Sequence, residues 1–88
     1  MHLNYTKQFL KNFEKRISQN RKLDRKFQER LELFLQNYQS PLLADHKLTG
    51  AEKDLRAFSI TGDIRVTYRR DGEEIYLVDI GTHNQVYR

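Results

Sequence analysis

From Phe9 onward the apolar residues of this chain change period once, between residues 38 and 55, and no other feature constrains the fold as strongly. Before the change they recur at helical spacing; after it they alternate with polar residues. A period of about 3.6 makes an amphipathic helix, whereas strict alternation makes a half-buried strand. A chain carrying both patterns in separate halves is expected to be α+β, with helices covering one face of a sheet.

Thr6 suits the N-cap of a helix starting at Lys7. Phe9, Leu10, Phe13 and Ile17 then recur at helical spacing, and residues 20–22 interrupt the pattern. Leu23, Phe27, Leu31, Phe34, Leu35 and Tyr38 form a second stripe, which reads as core packing and not as a ligand site. Proline disfavours helix in the residue before it, so Ser40-Pro41 is expected to end this helix. Two adjacent amphipathic helices make a helical hairpin.

Ahead of them, Leu3 and Tyr5 belong to a short alternating run that suits a first strand. Residues 41–54 read as a loop, with Thr49-Gly50 as a turn. Leu55 to Ile60 alternates, Thr61-Gly62-Asp63 turns, and Ile64 to Tyr68 alternates again. Asp71-Gly72 signals a hairpin into a last strand, Glu74 to Ile80, ended by Gly81. The expected order is β-α-α-β-β-β in one domain spanning residues 1–88, with the helical hairpin on one face of a small antiparallel sheet. A two-residue turn at Asp71-Gly72 sets Tyr68 opposite Ile75 and Val66 opposite Leu77, on the apolar face. The other face then carries Arg65, Thr67, Tyr76 and Val78, joined by Ser59, and is left uncovered.

Composition narrows the setting. The chain has no cysteine, which excludes a disulfide framework and a thiolate metal site. No apolar run approaches the roughly 18 residues of a membrane span, and the first ten residues lack the apolar core of a signal peptide. A cytoplasmic protein without membrane contact is the expectation. The net charge is +4, and it is uneven: residues 1–40 carry nine Lys/Arg against four Asp/Glu, and residues 41–88 carry seven against eight. A basic excess suits a polyanion such as RNA, although a solvated helical surface has the same composition.

The second half also carries motifs. They are His46-Lys47-Leu48-Thr49-Gly50, Leu55 to Ile60, Gly62 to Tyr68, and the ending Asp79-Ile80-Gly81-Thr82-His83-Asn84-Gln85-Val86-Tyr87. In this order and at these spacings they resemble the RelE superfamily of type II toxins. The "HKLTG" and "IGTH…VY" segments resemble its YafQ-like branch. The resemblance covers essentially the whole chain, since the element order matches as well. It implies a toxin that cleaves messenger RNA, usually at the ribosome, without metal or other cofactor, and that is neutralised by a cognate antitoxin.

Such cleavage needs a base for the ribose 2′-hydroxyl, an acid for the leaving oxygen and a cation for the phosphate. His83 follows a strand end and matches the family's C-terminal histidine, read as the general acid. Histidine titrates near neutrality and so can give or take a proton. His46 matches the histidine of the family's "HxLxG" motif, with a role as base or phosphate ligand. Asp63 matches an acidic position of the family's site, where it would orient a histidine or act as base, although Thr-Gly-Asp is also good turn chemistry. Arg65 is a fixed cation suited to a phosphate, unless Glu73, Glu74 or Asp79 pairs with it. Tyr87 matches a terminal aromatic that either stacks on a base or pins the C-terminus. Lys47 and Arg56 are further phosphate contacts, and Ser59 is able to hydrogen-bond a phosphate. His2 has no motif around it.

The chain departs from the branch at Ala57 and Ser59, where the YafQ-like pattern has an aspartate and a further histidine. Neither replacement serves as an acid or base near neutrality, so the identity of the base stays open. Two other readings remain: a non-enzymatic toxin resembling the ParE branch, which inhibits DNA gyrase, and an RNA- or protein-binding module without catalysis.

Overall fold

The computed structural model describes residues 1–50 and 54–87. The elements are β1 (His2–Tyr5), α1 (Lys7–Arg16), α2 (Arg21–Gln36), a 3-10 turn (Pro41–Leu43), β2 (His46–Lys47), β3 (Arg56–Ser59), β4 (Ile64–Asp71), β5 (Glu74–Thr82) and α3 (His83–Val86). The α+β class holds, and so does the expected order, with β2 and α3 added to it. The 3-10 turn and β2 lie within the segment expected to be a loop, of which residues 51–53 fall outside the described residues.

Both long helices start on side-chain caps. The Thr6 hydroxyl accepts from the Phe9 amide at 3.1 Å, and the Asn20 side chain accepts from the Leu23 amide at 3.2 Å. Each cap satisfies an amide that has no partner within its helix. The core takes Phe9 and Ile17 from the α1 segment and Phe27, Leu31 and Phe34 from α2. Phe34 stacks on Phe58, with ring centroids 4.5 Å apart, and meets the edge of Tyr68 at 4.9 Å. Leu10 and Leu35, read as parts of the stripes, stay 53% and 39% exposed. The second helix stops at Gln36, before Ser40-Pro41. There the Asn37 side chain accepts from the Gln39 amide at 3.2 Å, a local turn that competes with further helix.

The sheet order is β1-β5-β4-β3-β2. β1 runs parallel to β5, from His2 opposite Glu74 to Tyr5 opposite Leu77, so the sheet is mixed and not wholly antiparallel. The β4–β5 hairpin turns on Gly72-Glu73 and not on Asp71-Gly72, with Asp71 paired to Glu74. Gly72 supplies the positive φ, 60°, that a tight hairpin asks of its first central residue. The register moves accordingly: Tyr68 faces Leu77, and Val66 faces Ile80. Between them a bulge leaves Val78 without a partner. It rephases the strand, so that Leu77 and Ile80, three positions apart, are both fully buried.

The same irregularity gives Asp79 to α1. Its carboxylate accepts from Asn12 at 2.7 Å, Gln8 at 3.2 Å and Arg16 at 3.3 Å, while Arg16 also donates to the Ile80 carbonyl at 2.9 Å. The sheet face expected to be uncovered is partly closed. α3 folds back against β4 and β5, and Ala57 and Thr67 are buried.

Candidate active-site cleft

The sheet order separates His46 on β2 from the end of β5, yet the fold-back of α3 brings the two together. His46, Lys47, Leu48 and Thr49 line one side of a cleft of about 380 Å³, and His83 and Tyr87 line the other.

The His83 side is fixed by a reciprocal cap. The Thr82 hydroxyl accepts from the Gln85 amide at 3.3 Å, and the Gln85 side-chain oxygen accepts from the Thr82 amide at 2.8 Å. Gly81 leaves room for it. A Cβ there would overlap the Gln85 amide oxygen and come within 2.8 Å of the Arg16 guanidinium. β5 therefore runs through Gly81 to Thr82 instead of ending there, and His83 opens a short helix and not a loop. The exposed His83 ring meets Tyr87 edge-on, with centroids 4.4 Å apart. The Tyr87 hydroxyl is buried without a hydrogen-bond partner among the described residues. Burial pushes its pKa up, against the opposing pull of the Arg65 charge. A buried donor left unpaired is costly, so this hydroxyl is an expense the fold bears at the edge of the cleft.

Arg65 donates to the Ser59 hydroxyl at 3.1 Å. Among the described residues no carboxylate pairs with it; neither Glu73, Glu74 nor Asp79 does. Ser59 thus orients the arginine and lies outside the cleft lining.

On the opposite side, His46 pairs with Ala57 across the β2–β3 ladder, and its Nδ1 lies 2.9 Å from the Ala44 carbonyl oxygen. Asp45, one residue before it, is anchored to the sheet. Its side chain is 4% exposed, its Oδ1 accepts from Arg56 Nε at 2.8 Å, and the ion pair brings Arg56 Nη2 to 2.6 Å from the same oxygen. The Tyr68 hydroxyl donates to Oδ2. Burial, reinforced by the Asp45 carboxylate, pushes the Tyr68 pKa above its ordinary value.

Four expected site residues lie outside the cleft lining: Arg65 and its partner Ser59, and also Arg56 and Asp63. Arg56 is committed to Asp45 and lines a different depression with Tyr38, Ser40 and Arg70, because its short reach from β3 ends at a buried carboxylate. Asp63 is an exposed turn residue whose amide donates to the Thr61 hydroxyl at 3.1 Å, and it does not line the cleft. Asp45, which directly precedes the His-Lys-Leu motif, is not among the expected site residues, and it binds Arg56 and Tyr68 and not His46. Among the described residues no three His, Asp or Glu side chains converge as metal ligands would, and no helix is long and apolar enough to cross a membrane.

Residues 1–88 match the family model described as "Bacterial toxin of type II toxin-antitoxin system, YafQ". Among solved structures, a copper-bound variant toxin from Helicobacter pylori superposes with a TM-score of 0.81 at 30% identity, covering 98% of each chain. YafQ from E. coli strain BL21(DE3) gives 0.80 at 20% identity, covering 98% of this chain and 97% of that one. A chain of the E. coli DinJ–YafQ toxin–antitoxin complex gives 0.78 at 21% identity, covering 98% and 96%. No curated protein matches the chain in sequence.

Proposed function

The chain belongs to the YafQ family of bacterial type II toxins, and from that membership together with the cleft we propose that it is an endoribonuclease that cuts messenger RNA at the ribosome. One observation carries the reading: two histidines from distant parts of the chain line a single cleft together with Lys47 and Tyr87.

The reaction is a transesterification. One histidine takes the proton of a ribose 2′-hydroxyl as that oxygen attacks the adjacent phosphorus. The other gives a proton to the departing 5′-oxygen, leaving a 2′,3′-cyclic phosphate and a free 5′-hydroxyl. Paired acid and base groups suit this chemistry, and the required 2′-hydroxyl restricts it to RNA. Lys47, in the cleft lining, and Arg65, beside Tyr87, supply positive charge for the phosphate. Tyr87 lines the cleft with its ring against His83, and that ring is the surface it offers to a base or ribose. Ser59 acts through Arg65, and Arg56 through Asp45. The reading uses no cofactor. Its partners are messenger RNA and the ribosome, and, as in the DinJ–YafQ pair, a cognate antitoxin that covers the cleft.

Single substitutions test it. His83→Ala and His46→Ala are each expected to lower cleavage of ribosome-bound mRNA by about 10²–10⁴-fold. Wild-type rates in both variants would overturn the reading. Inhibition of gyrase supercoiling without RNA cleavage would select the ParE-like alternative instead.

A further inference from the structure

The two cleft histidines are not equivalent, and the difference lies behind His46. A carbonyl oxygen only accepts, so the 2.9 Å contact between His46 Nδ1 and the Ala44 carbonyl places the proton on Nδ1. In the neutral ring the other nitrogen, Nε2, then carries a lone pair. Which nitrogen of a histidine is protonated follows from the hydrogen bond that its partner nitrogen makes.

That contact depends on an unusual backbone. Ala44 sits at φ 48° and ψ 40°, in the left-handed region. Alanine enters it only at a steric cost, because its Cβ crowds the following carbonyl oxygen. Such a conformation persists only where its surroundings determine it. Here the Pro41–Leu43 turn fixes the chain ahead of it, and the Ala44 amide donates to the Pro41 carbonyl at 3.2 Å. Behind it Asp45 is clamped by Arg56 from β3 and Tyr68 from β4. His46 and Lys47 are then paired to Ala57 and Arg56. The carbonyl of Ala44 is thereby aimed back at the imidazole of His46.

We propose that Asp45 is a positioning residue that holds His46 as the Nδ1-protonated tautomer, so that Nε2 is the bare nitrogen offered to the cleft and His46 is the proton acceptor of the reaction. The assignment of a step rests on the ribonuclease reading; the tautomer itself does not. When Nε2 takes the 2′-hydroxyl proton, the ring becomes a cation while Nδ1–H still donates to Ala44. A hydrogen bond from a charged donor is stronger than one from a neutral donor, so the same carbonyl stabilises the protonated base. His83, whose ring rests against Tyr87, is left as the proton donor to the 5′-oxygen.

Nitrogen-15 NMR of the labelled protein reads the tautomer directly, at a pH where His46 is neutral. The wild-type protein is expected to show an Nδ1–H, bare-Nε2 pattern for His46. In Asp45→Asn that pattern is expected to relax towards the mixture of a free imidazole, with kcat for cleavage down roughly 10-fold and KM held, a smaller loss than removal of the base itself. Tyr68→Phe, which frees only one oxygen of Asp45, is the second variant should the first fail to fold, with the same direction expected. An Nε2–H pattern in the wild type, or an unchanged pattern in the folded variant, overturns the proposal. Absence of cleavage by the wild type would instead overturn the ribonuclease reading and leave the tautomer measurable.

Discussion

At the scale of single residues, Tyr68 joins the core to the site. Its ring is 1% exposed among Phe34 and Phe58, while its hydroxyl anchors Asp45. Tyr68→Phe keeps the ring and removes the anchor, so a loss of about 1–3 kcal/mol in denaturant unfolding is expected. The raised pKa adds a pH signature. The folded state holds the proton more tightly than the unfolded state, whose tyrosine titrates near 10.0. Its contribution to stability is therefore complete below that pH and is lost as pH rises through the folded value. Thermal denaturation above pH 10.0 is expected to fall less steeply in Tyr68→Phe than in the wild type. Gly81→Ala is the second residue-scale prediction. The added carbon meets Gln85 and Arg16, so about 1–3 kcal/mol of stability is expected to go, along with part of the cleavage activity, because His83 lies two residues on. That His46 and His83 are candidates was legible in the sequence because their chemistry and motifs are local, and the fold brings both to one cleft. Asp45 was not, because only the pairing of β2 with β3, and of β3 with β4, brings Arg56 and Tyr68 to its carboxylate.

At the scale of elements, the helices were legible and the details of the sheet were not. The stripes of α1 and α2 and their caps are local signals. The parallel pairing of β1 with β5 joins segments at opposite ends of the chain, and no local pattern announces it. The Asp-Gly signal places the hairpin turn one residue early, and farther along the strand the bulge at Val78 breaks the alternation on which a register is read. α3 is too short to show a period, but its cap makes it testable. Thr82→Ala removes one half of the reciprocal cap and is expected to cost about 1 kcal/mol. Hydrogen exchange at the amides of Gln85 and Val86 should then speed up, with cleavage reduced and the rest of the exchange pattern unchanged. Asp79 ties α1 to β5, with a side chain 9% exposed beside Arg16. Asp79→Ala strands that arginine, and a loss of about 3 kcal/mol in unfolding is expected.

At the scale of the whole molecule, the excess positive charge lies on the helical half, where Lys7, Lys11, Lys15 and Lys22 are exposed. If these lysines meet RNA phosphates, affinity should fall as salt rises, and each lysine removed should flatten the slope of log K against log salt by about one. Lys15→Ala measured by fluorescence anisotropy across a salt series checks this; an unchanged slope assigns the charge to solvation alone. The pairing of β1 with β5 bears on the whole chain in another way. A ribosome delivers β1 before any other strand, yet its partner is β5, so the first strand has no partner until β5 has emerged. The helices can form as they emerge, but the sheet is closed, and His83 delivered to His46, only after that. The cleft is thus among the last features of this domain to take shape during synthesis.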